Sequence, residues 1–296
     1  MSAKAMIGIG TLVALSCAAG AFYWLHSRNG QAFPEVVSAE PPGFHEAVPA
    51  NPPASTPIAR GSVEASAKKL PAPGDAEPSL RAGEVLDYTA NVANLNNVAT
   101  LRLKVAGKGN FSGKSAWHLQ ASAHTQNPLR MVFELDDQFD SYSDAATMAS
   151  LQYEMHLSER GQKVESIQRM TATGKEPAPP DATEARVLPG TRDPLGMMQY
   201  LRNVDWTKTP NARCPVYDGH KLYDVRAKIA GTAAHVSVPA GEYAASRVDI
   251  RVFENGAEMK DASFVLYLAN NAARTPVLLE AVMPFATARV ELEKVK

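Results

Sequence analysis

Through most of the chain from Glu84 onward, apolar and polar residues alternate, and that period of two restricts the segment to strands with one face in a core. In EVLDYTANV, Leu86, Tyr88, Ala90 and Val92 fall on one side and Asp87, Thr89 and Asn91 on the other. ATLRLKV sets Ala99, Leu101, Leu103 and Val105 against Thr100, Arg102 and Lys104. WHLQASA, LQYEMHL, LYDVRAKI and RVDIRVF repeat the pattern, and FVLYLA, VLLEAV and ARVELEKV carry it to the C-terminus. Successive side chains of a strand point to opposite faces, so an alternating run buries one face and wets the other.

The turns between the runs carry hairpin chemistry. Asp218-Gly219 and Asn255-Gly256 supply the positive φ that tight turns require. GKGNFSGK (Gly107 to Lys114) also reads as a hairpin turn, because it lacks the glycine and lysine spacing of a phosphate-binding loop. Connections this short imply antiparallel pairing. One helix interrupts at RDPLGMMQYLR, with Asp193 at the N-cap, Pro194 at the first helical position, and Leu195, Met198 and Leu201 at helical spacing. The stretch before it, TGKEPAPPDATEARVLPG, reads as a polar, Pro-rich loop of about 20 residues, either functional or disordered. Roughly ten to twelve antiparallel strands cannot stay in one flat sheet. The expected fold is mainly β: a curled antiparallel sheet or incomplete β-barrel over residues 83–296, with one short helix on or near its mouth. Barrels of this size can enclose an apolar cavity.

The two segments ahead of this domain are of another kind. AMIGIGTLVALSCAAGAFYWL, from Ala5 to Leu25, has no charged side chain. As a helix rising about 1.5 Å per residue it would span about 31 Å, which matches a bilayer's hydrocarbon core. Tyr23 and Trp24 suit the membrane–water interface, and Lys4 marks the cytoplasmic side. Residues 1–28 are therefore expected to form an N-terminal transmembrane helix. It would anchor a single-pass protein in the inner membrane, with the C-terminal domain in the periplasm. Two alternatives stay open: cleavage as a signal peptide near Cys17, which would release the chain to the periplasm, and lipidation at Cys17 within VALSC. Residues 29–82 are expected to be a disordered linker, since ten of the 21 prolines fall between Gln31 and Leu80. At up to about 3.1 Å per residue it would hold the β domain off the membrane.

Few residues suggest chemistry. Lys+Arg 30 against Asp+Glu 31 gives a net charge of -1, without the basic excess that nucleic acid requires. Cys17 and Cys214 are too differently placed to pair, and Cys214 reads as a buried small apolar residue. ELDDQFDSYSD is the densest acidic stretch, with Glu134, Asp136, Asp137, Asp140 and Asp144. It lacks the spacing and glycine of a calcium loop and reads as a solvated loop or turn. His118 and His156 lie on polar strand faces and could bind a metal together only if those faces meet. No nucleophile and base stand at a recognisable spacing. No catalytic, cofactor-binding or metal-ligating residue is therefore assigned, and no enzyme activity is expected. Arg202 is the one candidate ligand-binding residue. It either supports the helix dipole while pairing with Asp193 or Asp218, or anchors a carboxylate or phosphate head group.

Taken in order, GEVLDYTANV, DSYSD, DPLGMMQYLR, PVYDGHKLYDV, VPAGEYAASRVDI and ARTPVLLEAV…ARVELE resemble the domain-of-unknown-function 3108 family (DUF3108) of bacterial envelope proteins. The resemblance runs from Gly83 to Val295. It places Asp193, Pro194 and Arg202 on the family's helix, Asp218-Gly219 on its hairpin and Gly241 on its Pro-Ala-Gly turn. It implies a predominantly β, exported domain of a Gram-negative-type bacterium, with no assigned enzyme activity. Gly196 departs from the small hydroxyl residue common at its place, which weakens any hydroxyl-based chemistry on the helix. The expected function is a non-enzymatic, membrane-tethered periplasmic domain that binds an apolar or amphipathic envelope component such as a lipid. The alternative is a structural or interaction protein that docks another envelope protein through strand edges or the loop at 174–190.

Overall fold

The alternating runs become strands whose apolar faces meet in one continuous core. The computed structural model describes residues 45–46, 80–131, 133–172, 184–260, 263–283 and 286–296. The anchor expected over residues 1–28 lies outside the described residues, as does nearly all of the expected linker. Among the described residues no helix is long and apolar enough to cross a membrane. The strands are β1 (His45–Glu46), β2 (Val85–Val92), β3 (Leu95–Phe111), β4 (Lys114–Thr125), β5 (Asp136–Asp144), β6 (Ser150–Glu159), β7 (Gln162–Ala172) and β8 (Glu184–Val187). After helix α1 (Pro194–Asn203) come β9 (Asn211–Tyr217), β10 (Leu222–Val238), β11 (Gly241–Glu254), β12 (Ala257–Glu258), β13 (Ser263–Ala269), β14 (Pro276–Met283) and β15 (Ala286–Val295).

All of them belong to one 15-stranded sheet in the order β8-β7-β6-β5-β4-β3-β2-β15-β14-β13-β11-β10-β9, with β1 added to β3 and β12 to β11. The last strand of the chain pairs with its first long one, β15 with β2, so the two halves are stitched at the middle of the sheet. The ends then approach each other. Arg192, just past β8, forms a parallel bridge with Val216 of β9. Its N–H donates to the Pro215 carbonyl at 3.0 Å, and the Tyr217 N–H donates to the Arg192 carbonyl at 2.8 Å. The sheet is thus nearly closed and barrel-like. Pro215 can sit in β9 because β9 ends the sheet, where a missing N–H breaks no ladder.

The inward faces are those the alternation assigns. Leu86, Tyr88, Ala90 and Val92 are buried, as are Leu101, Leu119, Tyr223 and Val248. Leu151 is an exception. A register shift between Tyr142 and Ser143 opposite it breaks the alternation, and Leu151 packs instead against Phe111, Ala116 and Tyr142 in a second, smaller cluster. The hairpin expected at GKGNFSGK forms, with Ser112 and Gly113 both at positive φ between β3 and β4. Asn255 and Gly256 do the same between β11 and β12.

Two expectations are corrected. The acidic stretch ELDDQFDSYSD is not a solvated loop: its last nine residues form β5, paired on both sides by β4 and β6. Its alternation is real but hidden, because the inward positions beside Phe139 are Asp137, Ser141 and Ser143 rather than apolar residues. The Pro-rich loop ahead of the helix contains β8, which lies parallel to β7. The residues between them, 173–183, lie outside the described residues. A parallel pair needs a crossover rather than a tight turn, so hairpin spacing could not reveal it.

Asp137 has a measurable consequence. Its Oδ1 accepts the Ser158 N–H at 2.9 Å. Burial, with the nearby Glu159 charge, pushes its carboxyl up to about 7. An acid raised in the folded state costs nothing where both states are protonated. It destabilises the fold progressively as pH climbs from the unfolded value, near 4, to about 7. Asp137→Asn keeps the acceptor for Ser158 and removes the charge. Its unfolding free energy in urea is expected to equal that of the parent below pH 4 and to exceed it above pH 7, by on the order of 1 kcal/mol or more. An unchanged difference across that range would contradict the assignment.

Candidate functional site

Helix α1 is clamped at both ends. At its N-terminus Asp193 is fully buried, and its carboxylate accepts the Gly196 N–H at 2.8 Å and the hydroxyls of Ser141 and Ser150. Burial pushes this carboxyl above the ordinary range, against the pull of those hydrogen bonds. The helix start lies so close to β5 and β6 that a Cβ at Gly196 would meet the Met148 carbonyl and Ser143 Oγ at 3.0 Å and Ser150 Oγ at 3.2 Å. That accounts for glycine where a hydroxyl residue was expected: the hydroxyls here come from the sheet.

At the other end Arg202 has 0% of its surface exposed. Its Nη1 donates to Glu84 Oε2 at 2.8 Å and to Gln199 Oε1 at 2.9 Å, and its Nη2 to Glu84 Oε1 at 3.1 Å and to the Ala273 carbonyl at 2.9 Å. Arg274 Nη1 donates to the Val204 carbonyl at 2.7 Å and so covers the helix C-terminus. The expected partners of Arg202 are therefore corrected to Glu84. Asp193 stands at the opposite helix end, and Asp218 caps its own turn by accepting the N–H groups of His220 and Lys221. A head group could reach Arg202 only by displacing the bidentate Glu84 carboxylate. Cys214 is buried, and burial pushes its thiol up to about 11.

The second cluster lies on the outer face of β4, β5 and β6. Cross-strand register puts Gln120, Asp140 and Glu154 in one row, with His118 one row away on β4 and His156 opposite Gln138 on β6. His118 Nε2 lies 2.7 Å from Asp140 Oδ1, and His156 Nε2 lies 3.7 Å from Glu154 Oε2. The polar faces of His118 and His156, separate in the sequence, thus meet at two facing carboxylates, His118 beside Asp140 and His156 beside Glu154. Gln120 Nε2 donates to Asp140 Oδ1 at 2.8 Å, Gln138 Nε2 to Oδ2 at 2.9 Å, and Gln152 Nε2 to Glu154 Oε1 at 2.6 Å. The His118 ring stacks on Tyr142 with centroids 4.6 Å apart, and Tyr142 stacks on Phe111 at 4.4 Å. Burial works against the charge of Asp140, but hydrogen bonds from His118, Gln138 and Gln120 hold its carboxyl below the ordinary value. The Glu154 carboxylate beside it raises His156. Sequence reasoning missed Asp140 and Glu154 as partners of these histidines, because the grouping depends on register and not on spacing along the chain.

The Arg202–Glu84 pair yields a double-mutant test. Arg202→Met leaves a carboxylate buried without its partner and is expected to cost roughly 3–5 kcal/mol in urea unfolding. Arg202→Met combined with Glu84→Leu is expected to recover most of that loss, since an apolar pair can replace a buried ion pair. Equal losses in the single and double variants would show that the pair is not the coupled unit.

The comparisons with known proteins follow the fold. No curated protein matches the chain. A beta-barrel-like protein of the domain of unknown function DUF1849 from Brucella abortus aligns at 11% identity and a TM-score of 0.48, over 73% of this chain and 97% of that one. A Parabacteroides distasonis protein described as a lipoprotein aligns at 14% identity and 0.36, over 75% and 100%. A Bacteroides fragilis protein described as exported, with a YmcC-like fold, aligns at 11% identity and 0.34, over 73% and 96%. At these scores the likeness carries no functional information. The profile of "Protein of unknown function (DUF3108)" matches residues 87–293, which span most of the chain and nearly all of its sheet. The chain belongs to the DUF3108 family.

Proposed function

We propose that this chain is a membrane-tethered, non-enzymatic domain of the cell envelope that docks another envelope protein. The observation that carries the reading is the seam between β8 and β9. Among the described residues, the backbone bonds across it run through Arg192 alone. A sheet edge with free N–H and C=O groups is a template for an added strand. Arg186 on β8 and Arg213 on β9 are exposed beside it. The interior supports docking over carriage of an apolar or amphipathic component inside the sheet. Phe139, Val248, Leu266 and Leu292 are each 0% exposed and pack into one continuous apolar core.

The non-enzymatic reading rests on how the reactive groups are used. Ser141 and Ser150 spend their hydroxyls on the Asp193 carboxylate, and the raised Cys214 thiol is a poor nucleophile. The tether is the apolar run of residues 1–28 followed by the Pro-rich segment, with the domain on the periplasmic side of the inner membrane.

Two measurements test this. Intact mass of the protein purified from its own membranes is expected to equal that of the unprocessed chain. A start near Ala18, or an added acyl mass on Cys17, would replace the anchor by release or by lipidation. A photocrosslinking residue placed at Arg186 in cells is expected to give one discrete adduct with an envelope protein. A stoichiometric lipid in the native mass spectrum, with no such adduct, would overturn docking in favour of lipid carriage.

A further inference from the structure

We infer that Asp140, Glu154 and His156 form a binding site for one zinc-type divalent transition-metal ion on the outer face of β5 and β6, with His118 as a positioning residue. One ligand atom from each of the three residues lies within 4.8 Å of the others. A zinc-type ion holds nitrogen and oxygen ligands at about 2.0–2.2 Å, which places neighbouring ligand atoms roughly 3.3 Å apart. His156 Nε2 and Glu154 Oε2, at 3.7 Å, are already near that spacing. Side-chain rotations on the order of 1 Å gather the rest.

Charge argues for a cation. Asp140 and Glu154 are directly opposite each other on neighbouring strands, both buried to more than nine-tenths. Like charges in that relation destabilise a sheet, and burial deepens the cost. Among the described residues no Lys or Arg makes an ion pair with either carboxylate; the groups in range are His118 and His156. The three glutamine amides orient the carboxylates but bring no charge. A divalent ion neutralises both carboxylates at once.

The surroundings match what metal sites need. Gln152 takes Glu154 Oε1 and leaves Oε2 turned to His156. His156 presents Nε2 to the carboxylates, while Glu165 Oε1 stands 3.9 Å from its Nδ1, so an acidic group backs the ring on the far side. His118 and Gln120 hold Asp140 by Oδ1. The His156 side chain is 33% exposed, which gives an ion a way in from solvent. An imidazole with two carboxylates selects a borderline ion over calcium or magnesium, which prefer all-oxygen sites. Three protein ligands leave one coordination position to water.

The test uses the full chain, tag-free and detergent-solubilised, stripped with chelator and titrated with zinc chloride by calorimetry and with cobalt chloride by visible absorbance. One equivalent is expected to bind, with cobalt bands of low coordination number and no competition from excess calcium. Glu154→Gln and His156→Gln are near-isosteric and are expected to abolish the cobalt bands and weaken zinc binding at least 100-fold, while the metal-free protein keeps its unfolding midpoint in His156→Gln and gains in Glu154→Gln, where the facing like charge is removed. His118→Gln should weaken binding about 10–100-fold without removing the bands, as a supporting residue does. His235→Gln, at a remote exposed His–Glu pair, should change nothing. No binding by the parent chain would overturn the site, and so would binding that survives both Glu154→Gln and His156→Gln.

Discussion

Arg202 and Glu84 are 118 residues apart in the chain, and their buried ion pair joins helix α1 to the entry of the first long strand. An ion pair taken out of water gains little on its own account, because desolvation offsets most of the attraction. Its value here is geometric. The guanidinium fork accepts only one arrangement of Glu84, Gln199 and the Ala273 carbonyl, so the helix C-terminus, the start of β2 and the turn before β14 are locked together. At the far end Asp193 binds β5 and β6 through Ser141 and Ser150. A sheet of this width would otherwise have many ways to curl. With the helix held at both ends, the two halves of the sheet keep one relation, and β8 and β9 are brought near enough to touch through Arg192.

Strand β5 links this clamp to the outer cluster. Its inward side chains Ser141 and Ser143 meet the helix start, while the residue between Phe139 and Ser141 is Asp140, which faces the opposite way toward His118, Glu154 and His156. Both faces of this strand are therefore polar and both are buried. Such a strand is costly unless its polar groups are partnered: Asp140 takes the Gln120 and Gln138 amides and the His118 imidazole, Asp137 the Ser158 N–H, and Ser141 the Asp193 carboxylate. The inward hydroxyl of Ser141 anchors the helix through Asp193, while the outward Asp140 carboxylate belongs to the proposed metal site.

The seam proposed for docking and the proposed metal site occupy different parts of the molecule. The seam lies between the terminal strands of the sheet, β8 and β9, whereas the carboxylate–imidazole cluster sits on a face several strands away along the sheet order. Each can fail without the other.

The order of residues alone laid down where the sheet strands with apolar inner faces lie, where three of their tight turns fall and how the helix begins. Those features come from neighbours in the chain: the two-residue period of Leu86 to Val92, the positive φ at Asn255 and Gly256, the Asp193-Pro194 cap. It took the assembled fold to show that the last nine residues of ELDDQFDSYSD form an interior strand, that β8 returns parallel to β7, that Arg202 pairs with Glu84, and that two histidines 38 positions apart (156 − 118) each reach one of two facing carboxylates. The division has one physical cause. Periodicity and turn chemistry are local free energies, written residue by residue, whereas strand register and buried pairing depend on what lies across the sheet. The inward Asp137, Ser141 and Ser143 of β5 look like solvent-facing residues until the helix and the neighbouring strands that satisfy them are in place.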